Sequence, residues 1–220
     1  MGDAMLKYVN NTAFDASDNK ELVDLYSKMI EKLQDRLNPN KYALITISCA
    51  RHFESKYYWV VTFVGIEDSI KFLEEAQTRM KRYTHAVFLL RIAVAERQLS
   101  LGKHHDCIEA LNEIRSTVER HGEADPKVYQ SLAHVYGLYY NRKEDYENYY
   151  KSCMQYLAYT PSEEMTQQEQ KELSIKIGMA ILLGKNVYNI TELLDKEVIN
   201  SLVGTDFQWL HTLMKSLGQG

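Results

Sequence analysis

Apolar residues recur at intervals of three and four along almost all of this 220-residue chain, the spacing that gathers them on one face of a helix. Leu22, Leu25, Tyr26, Met29, Ile30, Leu33 and Leu37 trace a first face, opened by Asp18 and Glu21 at capping-box spacing. Asn38-Pro39 closes it and can start the next helix, since proline is tolerated at the first helical position. Residues 1–17 show no usable period and read as a partly ordered lead-in. Tyr42 to Phe53 is apolar nearly all round, which predicts burial on most sides, and its isoleucines leave helix and strand open. Tyr57 to Val64 has a strand-like composition. A lone strand among helices has nothing to pair with, so the segment is expected to be an irregular or helical connection that packs aromatic rings.

From Ile66 onward the pattern is regular. Ile66, Ile70, Leu73, Ala76 and Met80 mark one helix, and Thr84 is placed to cap another carrying Val87, Phe88, Ile92, Ala95 and Leu99 until Gly102. Cys107, Ile108, Leu111, Ile114 and Val118 follow on a helix ending at His121-Gly122, and Asp125-Pro126 restarts the chain as cap and first turn. Val128, Tyr129, Leu132, Ala133, Val135, Tyr136 and Tyr139 share the next face. A helix over 144–159 is broken by Pro161, and Thr166 with Glu169 forms another capping box. The helix it starts ends at Gly184, where a left-handed cap is expected, with 186–189 as the connection. Thr191 or Asn189 can cap a further helix bearing Leu193, Leu194, Val198, Ile199 and Leu202, and Gly204 ends it. Thr205 and Gln208, again at capping-box spacing, lead into Phe207, Trp209, Leu210, Leu213 and Met214.

About nine or ten amphipathic helices joined by short turns, in pairs repeating at roughly 35–45 residues, describe an α-solenoid, because each pair alone would leave an apolar face in water. The fold expected is therefore all-α: a right-handed solenoid of stacked pairs over 18–217, of the tetratricopeptide or HEAT kind. Gly102 between paired helices and the run Tyr136-Gly137-Leu138-Tyr139-Tyr140 echo the tetratricopeptide pattern, though no strict consensus repeats.

Composition adds little to that picture except by exclusion. A net charge of −4, with lysines and arginines scattered among the acids, argues against nucleic acid or an anionic membrane as partner. The longest aromatic and aliphatic run, Tyr57 to Ile66, is about half the length that a bilayer span requires. Met1 to Asp18 lacks the apolar core of a signal peptide, and Cys49, Cys107 and Cys153 lie singly in apolar helical patterns. Buried free thiols in the cytoplasm and nucleus are expected. His104-His105-Asp106-Cys107 holds ligand-type atoms, but neighbours on a helix point about 100° apart and do not close a tetrahedral site unaided. No nucleophile-elbow, metalloprotease or phosphate-loop pattern occurs, and carboxylates such as Glu163-Glu164 fall on polar faces. No catalytic residue, cofactor or metal is expected. The excess is tyrosine: of sixteen, eight lie between 136 and 159. Core packing between helices is the default for them, and a partner-facing stripe is the alternative, with Tyr136, Tyr140 and Tyr150 as its candidates.

One stretch resembles a known family. Leu182-Leu183-Gly184, Tyr188-Asn189, Glu192-Leu193-Leu194 and Asp206, Trp209 and Leu210 stand where the PCI-domain lid subunits of the 26S proteasome, in the regulatory subunit 13 family, carry the same features. The likeness is looser over Leu25-Tyr26 to Asn38-Pro39 and Tyr146 to Tyr159. It implies a non-catalytic structural subunit whose helical arm is a scaffold in lid assembly and ubiquitin-dependent degradation. Its partners would be other lid subunits and a ubiquitin receptor. It further implies a winged-helix PCI module after position 220, and a fragment that is monomeric by itself. A free-standing peptide-binding adaptor, a subunit of the COP9 signalosome or of the translation initiation factor 3 complex, and a metal-dependent enzyme built on the histidines are the competing readings.

Overall fold

The computed structural model describes residues 37–55, 62–122, 124–185 and 190–218, and every regular element among them is helical. The predicted first helix and its Asp18 cap lie outside the described residues, as do 56–61 of the strand-like run and the 186–189 connection. The chain divides into two compact units, Met1–Val128 and Tyr129–Gly220.

The first unit contains α1 (Pro39–Ser55), α2 (Thr62–Arg79), α3 (Thr84–Ser100), α4 (His104–His121) and the start of α5 (Pro126–Arg142). Asn38 opens α1: its side chain accepts from the Asn40 N–H at 2.9 Å and its carbonyl from the Tyr42 N–H. The segment left open between helix and strand is thus helical, burying Tyr42, Ala43, Ile45 and Ala50. On α2 the buried line is Ser69, Leu73, Ala76 and Met80, with Ile66 and Ile70 only half-buried. The Ser69 hydroxyl donates to the Ala50 carbonyl of α1, which lets a small polar residue sit at the contact. α1 packs on α2, α2 on α3 and α3 on α4, and α1 also touches α3. That makes α3 the centre of the unit, buried nearly all round from Ala86 to Leu99. Its one buried charge, Arg97, donates to the Ala93 carbonyl and to Glu96. Thr84 proves to be the first helical residue, with Tyr83 in the capping position and no side-chain cap. Gly102 and Gly122 end α3 and α4 with φ of 79° and 75°, a conformation a side chain would strain. Asp125 caps α5 through the Lys127 N–H at 2.9 Å and accepts from the Asn40 side chain at 2.6 Å.

The second unit holds the rest of α5, then α6 (Tyr146–Ala158), a 3-10 turn (Ser162–Glu164), α7 (Gln167–Leu183), a single turn α8 (Thr191–Leu194), a 3-10 segment (Glu197–Leu202) and α9 (Gln208–Gly218). Asp145 caps α6 by accepting from the Asn148 N–H. The Thr166–Glu169 capping box is complete, each side chain bonded to the other residue's backbone. Gly184 ends α7 in an extended conformation, φ −77°, not in the left-handed one expected. At that φ and ψ the position is open to any residue, so no positive φ is called for. The helix expected over 191–202 is broken in two: Thr191 is already helical, Lys196 is extended, and the second half is 3-10. Its apolar residues nevertheless go where the pattern put them, Leu193, Val198, Ile199 and Leu202 joining Ile177, Ile181, Leu210 and Met214 in one core.

Such runs of helices, each covering the apolar side of the next, have the local organisation of an α-solenoid.

Candidate docking surface

α5, α6, the 3-10 turn and α7 enclose a cleft of about 270 Å³ in the second unit. Its floor is formed where Gly137 lies against the Tyr149 ring, with Cys153 beside it. Cys153 and Tyr149 are one turn apart on α6. Burial pushes the Cys153 thiol up to about 12 and drives the Tyr149 phenol well above its ordinary value. Both stay neutral, so this floor is no source of a thiolate nucleophile.

The walls are more polar. Gln130 of α5 donates to Thr160 at 2.8 Å, and His134 lies against the Tyr156 ring with centroids 5.7 Å apart. Across from them α7 presents Glu169, Glu172 and Lys176, and Glu164 comes from the 3-10 turn. Glu169 is held below the usual carboxylate range by the Thr166 backbone N–H and hydroxyl, so it is ionised at neutral pH. Glu172 accepts from the Gln168 amide at 2.7 Å. Lys176 stands one turn on, and Met179, Leu182 and Leu183 complete α7 with their side chains 41–51% exposed. Trp209 on α9 is 54% exposed, and Leu217, two turns further along, is exposed as well.

The residues singled out in the sequence sit elsewhere. Tyr136 and Tyr150 are buried, Tyr140 is half-buried, and none of the three lines the cleft. Tyr136 and Tyr140 stack at 6.0 Å, and burial, with Glu192 nearby, pushes the Tyr150 phenol up to about 12. In the His104-His105-Asp106-Cys107 run, Cys107 turns into the core while His105 and Asp106 face solvent. His105 stands 3.6 Å from Glu109. No group of three or more histidine, cysteine or acidic residues among those described is placed to hold a metal ion. The three cysteines are buried and none is in a disulfide. The cleft itself was not legible in the sequence, because its walls come from positions 130 to 176 and its glutamates read as an ordinary solvated face.

Layers of amphipathic helices, each with one apolar side turned to a neighbour, define a helical-repeat protein. Its family is shown by comparison: the profile described as PSD13 N-terminal repeats matches residues 2–214, and the chain belongs to that family. It is 25% identical over 214 residues to "26S proteasome non-ATPase regulatory subunit 13 homolog B" of Arabidopsis thaliana, covering 97% of this chain and 54% of that protein. It is 27% identical to "26S proteasome non-ATPase regulatory subunit 13" of Dictyostelium discoideum, over 92% of this chain and 51% of the relative. A third, the "Probable 26S proteasome regulatory subunit rpn9" of Schizosaccharomyces pombe, is 29% identical over 64% of this chain and 36% of its own. The chain thus spans about half the length of the first two. No helix among the described residues is long and apolar enough to cross a membrane.

Proposed function

We propose that the chain is the helical-repeat arm of a proteasome regulatory-particle lid subunit, a structural and non-catalytic part of the machinery for ubiquitin-dependent degradation. The family match over residues 2–214 carries this reading. The all-helical architecture supports it, since stacked repeats offer extended surface and little enclosed volume. The partners proposed are other lid subunits and a ubiquitin receptor, met in the cytoplasm and nucleus, with a PCI module elsewhere in the full-length product. Tyrosines that remain partly open, Tyr140 and Tyr159 among them, have the amphipathic character of interface residues. Affinity purification of the tagged protein from cells, followed by mass spectrometry, should recover lid subunits in near-stoichiometric amount. Recovery of chaperones or short-peptide ligands without lid subunits would instead assign it to the peptide-binding adaptors.

A further inference from the structure

From the cleft and the exposed end of α7 together we infer a docking site for a partner-protein segment that presents a lysine or arginine about 10 Å from a pair of aliphatic side chains. The volume is the first reason. At about 270 Å³ the cleft is smaller than the roughly 300–1,000 Å³ of sites that engulf a small molecule, and it suits one or two protein side chains. Charge is the second. Glu164, Glu169 and Glu172 face a single ammonium, Lys176, within it. The hydrogen bonds to Glu169 and Glu172 come from neutral groups, the Thr166 backbone and hydroxyl and the Gln168 amide, which satisfy the oxygens without cancelling the charge. A guanidinium or ammonium arriving there finds two carboxylates one turn apart, neither bonded to a cation by those contacts.

Helical register is the third. Glu172, Lys176, Met179 and Leu183 follow one another at intervals of four, three and four, so one face of α7 runs from the charged cleft onto an exposed aliphatic strip. At 1.5 Å per residue, Glu172 and Met179 are about 10 Å apart along the axis, which sets the spacing between the partner's basic and apolar anchors. A strip of this kind stays exposed in water at a cost that a partner removes by covering it. The charge excludes a nucleic-acid backbone, and its placement beside apolar side chains selects an amphipathic polypeptide.

The inference rests on reading the chain as a scaffold, and it is tested with fluorescein-labelled alanine-based helical peptides. Each carries two leucines one turn apart and, seven residues away, either arginine or glutamate; binding to the 220-residue chain is read by anisotropy. The arginine peptide should bind at least tenfold more tightly than the glutamate peptide. Glu169→Gln with Glu172→Gln, which keeps the capping geometry, should remove about that factor, whereas Glu67→Gln with Glu74→Gln, an equal charge change on α2, should not. Met179→Ser with Leu183→Ser should weaken the arginine peptide, and Glu172→Arg should transfer preference to the glutamate peptide. Equal binding of both peptides, no binding of either, or equal effects of the two glutamine pairs would overturn the site. A chain that binds the arginine peptide yet recovers no lid subunits from cells keeps the site and loses the proteasome reading. The converse result loses only the site.

Discussion

Thr166 and Glu169 exchange hydrogen bonds across the first turn of α7, satisfying donors that a helix start otherwise leaves to water. Thr166→Ala should cost about 1 kcal/mol in urea unfolding, while Thr166→Ser should stay near the parent. Capping residues of this sort were readable because side chain and spacing alone define them. Where the reading went astray, the backbone had another way to turn. At the start of α9 the Thr205 hydroxyl accepts from Phe207, and the Gln208 side chain from the Gly204 N–H, so the bonds of the expected box are shifted in register. His211, 8% exposed with its Nε2 meeting no protein partner, makes a second test possible. Burial, with Lys215 adding to it, holds its imidazole below the ordinary value of 6.5. The unfolded chain therefore takes up the proton more readily, and stability present above that value is lost as pH falls through it. Comparing urea midpoints of the parent and His211→Gln between pH 7.5 and 5.5 should show the parent losing more on acidification.

At the scale of elements, packing between helices decided what periodicity could only outline. Gly178 on α7 faces Leu210 of α9 so closely that an added Cβ would fall 2.6 Å from the leucine Cδ2. Gly178→Ala should therefore destabilise by about 1–3 kcal/mol despite its better helix propensity. In a Leu210→Ala background the same change should become neutral or stabilising, a reversal that a thermal melt of the four chains would show. The helices themselves were legible from intervals of three and four, since each has one side in water and one in the core. The break at Lys196 was not, because Leu193, Val198, Ile199 and Leu202 suit a continuous helix as well as two short pieces moulded onto α7 and α9. The cleft was hidden for a related reason: the identity of Glu169 and Glu172 says nothing about which helix stands opposite.

Across the whole molecule the thiols report on both units. Cys49 and Cys107 belong to the first and Cys153 to the second, all buried and none in a disulfide. Labelling with a chromogenic disulfide at pH 8, with each cysteine kept singly, should be slow at all three in native protein and complete within mixing in denaturant. Fast reaction of Cys153 alone would mean that the second unit opens on its own. In the first unit, the side chains of Asn40 and Asp125 meet at the starts of α1 and α5, 85 positions apart. Such a bond ties distant parts of the sequence, so the unit differs from an open ladder whose rungs know only the rungs beside them. A change of length within α2, α3 or α4 would pull this clasp out of alignment, which makes those three lengths interdependent in a way that no single turn reveals.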